Sequence, residues 1–393
     1  MNFSRHFHQL DRLLSDSAWL WRPQPYKEAR PQWCARLPAL CAELLALDDA
    51  QLTQLSSDSE ALQRLLAPYL PELAELALLT HLPEQPPAAL QVPGPHFATG
   101  IPGRKWQQIS AFSAALGEVR APLLEWCGGK GHLGRLLAFQ WRRQVVTLER
   151  NPGLCQDGEG MAERSGVPQR FHVTDVLEDS VEAHLPGRHA VALHACGELH
   201  RTLVRRAAAL ALPALDIAPC CFHLHGEERY RPFTPGARLS LSRDDRRLAV
   251  TETVTAVGRE VRLRDREMAW KLGFELLRQE QSEEQAYRPL KPIDRQWLRL
   301  DFAAFCQALA AREGITLQPV REWGAYEARG WQRQRETMRL SLVRHAFRRA
   351  IELWLALDLA CYLEAHGYRV TLGTFCEREL TPRNILLSAR LHP

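Results

Sequence analysis

The sequence predicts an α/β protein built on a mainly parallel sheet, with a helical region in front of the sheet and an insertion within it. Three observations carry that prediction. From about His96 onward, short apolar runs alternate with helical segments, which is the pattern of βαβ units. Glycines at 128, 129, 131 and 134 fall between one such run and the helix that follows it. Near the C-terminus, a long stretch with one apolar face is followed by two strand-like runs.

Taken in order, residues 1–90 read as a small helical bundle. LPALCAELLALDDAQLTQL and ALQRLLAPYLPELAELALL space their apolar residues as helices do, with Asp and Ser breaks between them. The repeated prolines of HLPEQPPAALQVPGP then make continued helix improbable and mark a linker. Residues 91–222 form the first part of the sheet domain. Strands are expected at Pro122–Cys127, Gln144–Leu148, Arg170–Val173, His189–His194 and Ala214–Ala218, with helices beginning near His132, Pro152, Glu178 and Leu199. Between Phe222 and about Gly330 the pattern turns irregular and charge-dense, as in SRDDRR and GREVRLRDRE, so residues 223–330 read as an insertion. Residues 331–393 resume regular order. TMRLSLVRHAFRRAIELWLALDLACYLEAHG holds one apolar helical face and stops at Gly367, and YRVTLGTF and RNILLSARL are strands joined by a turn at Thr381-Pro382.

Composition narrows the class of protein. At 393 residues the chain exceeds one ordinary domain, and 46% hydrophobic with 24% charged residues is globular usage. A formal net charge of +4 permits an anionic partner without requiring one. There is no run of about 18 apolar residues and no apolar segment of a signal peptide in MNFSRHFHQLDRLL, so a soluble, cytoplasmic protein without a membrane partner is expected. The ten cysteines lie singly or as the pair Cys220-Cys221, with no C-x-x-C spacing. Neither disulfides nor a bound metal is expected from that pattern.

A glycine loop between strand and helix lets main-chain N–H groups approach a ligand at a helix N-terminus. The spacing is not that of a phosphate-binding P-loop, because Lys130 is misplaced for it. Gly129, Gly131 and Gly134 do fit G-x-G-x-x-G, the spacing of dinucleotide folds, but Glu125 stands just before the glycines. A carboxylate there repels a pyrophosphate and suits a cation, such as the amino group and sulfonium of S-adenosylmethionine. Glu149 ends the second strand, where it can accept from two ribose hydroxyls, and Asp175 follows the third, where it can receive an adenine amino group. Each acid alone reads equally as a helix cap or a solvated strand end. Three at successive strand ends argue for a site.

These residues resemble a class I S-adenosylmethionine-dependent methyltransferase: EWCGGKGHLGRLLA is similar to the D-x-G-x-G-K-G-x-L form of that family's first motif. Four further elements, PGRKWQQI, LHACGEL, APCCFH and LTPRNILL, are similar to the branch that includes methyltransferase-like protein 25. The resemblance covers roughly His96 to Ala389, apart from much of the insertion. One departure is Trp126-Cys127, where many relatives carry a small residue and a glycine. The resemblance implies a Rossmann-like class I methyltransferase sheet of seven strands, the last two an antiparallel hairpin. It also implies S-adenosyl-L-methionine as cofactor, held by Glu125, Gly128, Gly129, Gly131, Glu149, Asp175 and His194.

The reacting atom in such a sheet lies beyond the carboxyl ends of strands four and five. His194 there is either a base or a strand-end histidine bonded to backbone. Cys220 and Cys221 are pocket-lining residues, nucleophiles for a pyrimidine ring, or, with Cys196, His194 and His223, metal ligands; pocket lining ranks first and metal last. The missing Asn/Asp-Pro-Pro-Tyr/Phe pattern argues against methylation of base amino groups. Arg104, Lys105 and Trp106 can hold a phosphate and stack a base, or they cap a helix and cover the cofactor; Cys196 and His223 complete the candidate substrate set. Arg335, Arg339, Arg344 and Arg348 recur away from the apolar stripe, as a solvated face or an RNA contact. RNA (tRNA or rRNA) is the expected acceptor and DNA is not, with protein or small-molecule acceptors, or a catalytically silent cofactor-binding scaffold, as the alternatives. The oligomeric state stays open.

Overall fold

Residues 2–117, 119, 121–251, 258–282, 284 and 286–392 are described in a computed structural model of the chain. Seven strands form one sheet: β1 Leu123–Trp126, β2 Val145–Glu149, β3 Gln169–Val173, β4 His189–Cys196, β5 Ala214–Cys220, β6 Tyr368–Thr374 and β7 Ile385–Leu391. Their spatial order is β3-β2-β1-β4-β5-β7-β6. Strands β1 to β5 run parallel, while β7 is antiparallel to both β5 and β6. The seven expected strands and the terminal hairpin are therefore all present. β1 is buried on both faces, as a central parallel strand must be.

The chain divides into two compact units, one comprising Met1–Ser15, Glu75–Val254 and Arg348–Pro393, the other Asp16–Ala74 and Thr255–Phe347. The first holds the sheet. One side of it is covered by the helices Gly103–Ala115 and His132–Trp141, whose Ile109, Phe112, Leu133, Leu136 and Leu137 pack with Leu123, Val145, Val191 and Leu386. Burying such side chains stabilises by roughly 1.5–3 kcal/mol each. The buried carboxylate of Asp11, on the Phe3–Asp16 helix, accepts from the N–H groups of Arg238 and Leu239 and from the Trp354 indole, which fixes the first helix to this unit.

The second unit is helical and draws on two segments far apart in sequence. Its helices Gly258–Gln281 and Trp323–His345 cross at Gly273 and Gly330, where a Cβ on Gly330 would run into the Ala269 carbonyl. Trp270, Phe274, Phe302, Phe305 and Leu309 fill the core beside that crossing.

Four expectations are corrected. The stretch 223–330 is not irregular, since it contains the 24-residue helix Gly258–Gln281; charge on every side of GREVRLRDRE hides the apolar period. The expected single helix over TMRL…AHG is two helices, Trp323–His345 and Arg348–Ala365, and no Gly or Pro marks the break. The helix expected near Glu178 is a 3₁₀ segment, Asp179–His184, curtailed by Pro186-Gly187. Arg339 is buried rather than on a solvated face, donating to the Leu47 carbonyl at 2.7 Å and to Asp49 at 2.8 Å. All ten cysteines are free thiols. Among the described residues, no helix is long and apolar enough to cross a membrane.

Candidate functional site

The glycine loop leaves β1 through a left-handed residue. Cys127 has φ +56°, so a non-glycine occupies a conformation glycine adopts freely, at a cost of order 1 kcal/mol. Gly129 (φ +60°) and Gly131 (φ +66°) follow. A Cβ on Gly131 would strike the Gln169 amide and the Phe171 ring, and one on Gly128 would strike Glu125 and Thr147. At Gly129 nothing stands within 4 Å of that direction, so its outer side is open.

Beneath the loop lies a buried polar chain. The Gln169 amide donates to the Gly131 carbonyl and to the Thr147 hydroxyl, which donates to Glu125 Oε2 at 2.8 Å. Glu125 is 3% exposed, and burial pushes its carboxyl up to about 7, opposed by the Thr147 hydroxyl, the Gly134 N–H and nearby Lys105. The structure thus places Glu125 under the glycines, holding the loop, rather than on its outer side. Glu149 is on the outer side. Its Oε2 accepts from the Gly129 N–H at 3.1 Å and its Oε1 from the Asn151 N–H at 2.9 Å, so both oxygens are oriented yet keep spare lone pairs. Asp175 accepts from the Leu177 N–H at 3.0 Å and lies 3.6 Å from the Arg150 guanidinium. Burial, then the charges of Glu149, Cys196 and Asp175, push the Cys127 thiol up to about 12.

The ends of β4 and β5 carry the second cluster. Their register shifts between Leu193 and Cys196, and His194 within that irregularity has φ +63°. Burial pulls the His194 imidazole down to about 4, and Arg383 adds to the effect. Gln108 Oε1 lies 3.3 Å from His194 Nε2; taking Nε2 as the donor leaves Nδ1 as an acceptor. Cys196 and Cys220 sit opposite each other on the paired strands with sulfurs 3.6 Å apart. Hydrogen bonds with Cys196 and the adjacent Cys221 hold the buried Cys220 as a thiol, whereas thiol donation from Cys196 and Cys220, helped by Arg383 and His223, favours the Cys221 thiolate. His223 carries a buried Nδ1 with no hydrogen-bond partner.

The substrate candidates separate. Lys105 is exposed, and its charge acts on Glu125, His132 and His194. Arg104 instead donates to the Glu379 carbonyl at 2.8 Å, and Trp106 packs with Phe97 against the core, which leaves its ring less free to stack a base. Thr147, Gln169, Gln108 and Arg383 were not assigned roles from sequence. The first two look like ordinary strand residues, and the other two reach the site only through tertiary packing.

A doubly wound sheet in this strand order, ending in a reversed hairpin and carrying a glycine loop after β1, has the class I methyltransferase fold. Residues 104–228, about a third of the chain, match a family described as a methyltransferase domain. None of the curated proteins matches. Among solved structures, an O-methyltransferase family protein from Burkholderia thailandensis is similar at 13% identity, covering 98% of this chain and 94% of that one, with a TM-score of 0.30. Pyrococcus abyssi tRNA (uracil-54, C5)-methyltransferase, in complex with S-adenosyl-L-homocysteine, is similar at 21% identity, 30% and 29% coverage and a TM-score of 0.25. A geranyl diphosphate methyltransferase in complex with GPP and sinefungin gives 15%, 40%, 65% and 0.25. The chain therefore spans less than two thirds of the length of the last two. With scores this low, the fold assignment rests on the strand order.

Proposed function

We propose that the protein is an S-adenosylmethionine-dependent methyltransferase acting on RNA, of the tRNA or rRNA class. The observation that carries the cofactor reading is Glu149: a carboxylate at the end of β2, anchored by the Gly129 N–H beside an open glycine turn, with acceptor capacity left for a pair of ribose hydroxyls. Asp175 supplies a second acceptor along the same edge, for an adenine amino group. The residues present fit the cofactor, because the cradle is open at Gly129 and the Glu149 carboxylate bonded to that turn keeps spare lone pairs. Glu125 acts through the loop as a positioning residue. When bound, S-adenosylmethionine supplies an electrophilic methyl group on a sulfonium.

His194 lies near the C-terminal end of β4, where an acceptor would enter, and is neutral near physiological pH, with Nδ1 an acceptor when Nε2 donates to Gln108. Lys105 and Arg383 make its surroundings basic, which favours a polyanionic acceptor and supports RNA over a neutral small molecule. The narrower likeness, to the branch that includes methyltransferase-like protein 25, rests on PGRKWQQI, LHACGEL, APCCFH and LTPRNILL; these elements hold Lys105, His194, Cys220 and Arg383. The test is transfer of labelled methyl groups from S-adenosylmethionine to undermodified RNA, with protein and metabolite fractions in parallel. Label in RNA, lost with His194→Ala, is the expected result. Label confined to another fraction would reassign the acceptor, and cofactor binding without S-adenosylhomocysteine formation in any fraction would mean a silent scaffold.

A further inference from the structure

Cys196, Cys220 and Cys221 bring their three sulfurs within 4.8 Å of one another at the ends of β4 and β5. Two departures from regular strand geometry produce this convergence. Consecutive strand residues point to opposite faces, so Cys220 and Cys221 should diverge. Cys221 instead turns left-handed, with φ +45°, as the strand ends. On β4, the register shift before Cys196 aligns that residue with Cys220. Both distortions carry a conformational cost for non-glycine residues, and together they aim three soft donors at one point.

We infer that this cluster is a site for a soft divalent d¹⁰ cation, zinc, held by three thiolates with its fourth position open. Tetrahedral zinc with bonds of about 2.3 Å places its sulfurs about 3.8 Å apart. The Cys196–Cys220 separation of 3.6 Å is already close to that, and no pair of the three exceeds 4.8 Å, so a cation would draw the remaining sulfurs in by about 1 Å at most. Charge also balances. Three thiolates around a divalent ion carry one net negative charge, and the Arg383 guanidinium lies near enough to Cys221 and Cys196 to offset it. Thiolate, rather than histidine or carboxylate, is the donor type that selects zinc over magnesium or calcium. From sequence, metal ligation is the least favoured reading of the same cysteines, because only the register of β4 against β5 brings Cys196 beside Cys220. Three protein ligands, not four, is the count of a site that keeps a position for water or substrate. The inference does not depend on methyl transfer.

The test uses the full chain purified under reducing conditions, stripped with a chelator and reloaded with zinc or cobalt(II). One equivalent of zinc per chain and tetrahedral thiolate–cobalt absorption are expected. Cys196→Ser and Cys221→Ser should each weaken zinc binding at least tenfold, whereas Cys361→Ser should leave it unchanged. Retention of one tight equivalent by both cluster variants would overturn the assignment. Should those variants fail to fold, alkylation of the wild-type chain decides the matter. Zinc must protect Cys196, Cys220 and Cys221, mapped by mass spectrometry, and protection elsewhere or nowhere would refute the site.

Discussion

Replacing Glu125 by Gln tests whether the loop rests on a buried acid. In the folded protein burial raises this carboxyl from 4.5 to about 7, a change of roughly 2.5 pH units, each corresponding to about 1.4 kcal/mol. The folded state therefore holds a proton that the unfolded chain has already released. Stability is highest below the unfolded value, falls as pH rises through about 4.5 to 7, and is level above, with a total loss of about 3 kcal/mol. Gln is near-isosteric and cannot ionise, so Glu125→Gln removes that slope. It loses part of the acceptor capacity for Thr147 and Gly134, which lowers stability by about 1 kcal/mol at pH 5. The assay is urea unfolding of wild type and variant from pH 5 to pH 8. Relative to wild type, the variant should gain about 2–3 kcal/mol across that range. Parallel curves would show that Glu125 is ionised in the fold and that the account of the loop's foundation is wrong.

Other expectations follow from the same structure. Gly131→Ala forces a positive φ and a collision with Gln169 and Phe171, so it should lower Tm by several degrees and weaken cofactor binding together, as calorimetry and thermal unfolding would show. Arg339→Ala removes buried bonds to Leu47 and Asp49 and should destabilise the helical unit by about 2 kcal/mol, with RNA retention at constant folded fraction unchanged; a selective loss of RNA binding would restore that residue to an interface. His194→Gln should reduce the transfer rate at least tenfold while leaving cofactor affinity within twofold, and an equal loss in both would move His194 from proton transfer to cofactor binding.

Most of the sheet was legible because parallel strands are short apolar runs punctuated by helices, and β1 through β5 and the terminal hairpin follow that rule closely. That Glu149 ends a strand and Asp175 follows one was legible from the apolar runs before them. Glu125 was found but its direction was not, since nothing in the sequence distinguishes a carboxylate above a glycine loop from one packed beneath Gly128 and Gly134. The second unit escaped because its two segments are separated by the whole sheet domain, and because the charged first turns of the helix Gly258–Gln281 mask the apolar face that Trp270, Phe274 and Leu277 form further along. Arg339 reads as solvated until Leu47 and Asp49, nearly 300 residues away, are placed beside it. The convergence of Cys196 with Cys220 and Cys221 depends on a strand irregularity and a left-handed residue, and neither leaves a mark in residue type.

The most direct test of the central reading is a calorimetric titration of S-adenosylmethionine and S-adenosylhomocysteine into the full chain, with Glu149→Ala and Gly129→Arg beside it. Micromolar binding, weakened by about 1–3 kcal/mol in Glu149→Ala and abolished in Gly129→Arg, is the predicted result. Wild-type affinity in Glu149→Ala, or no binding of either compound, would contradict the assignment of the glycine cradle to this cofactor.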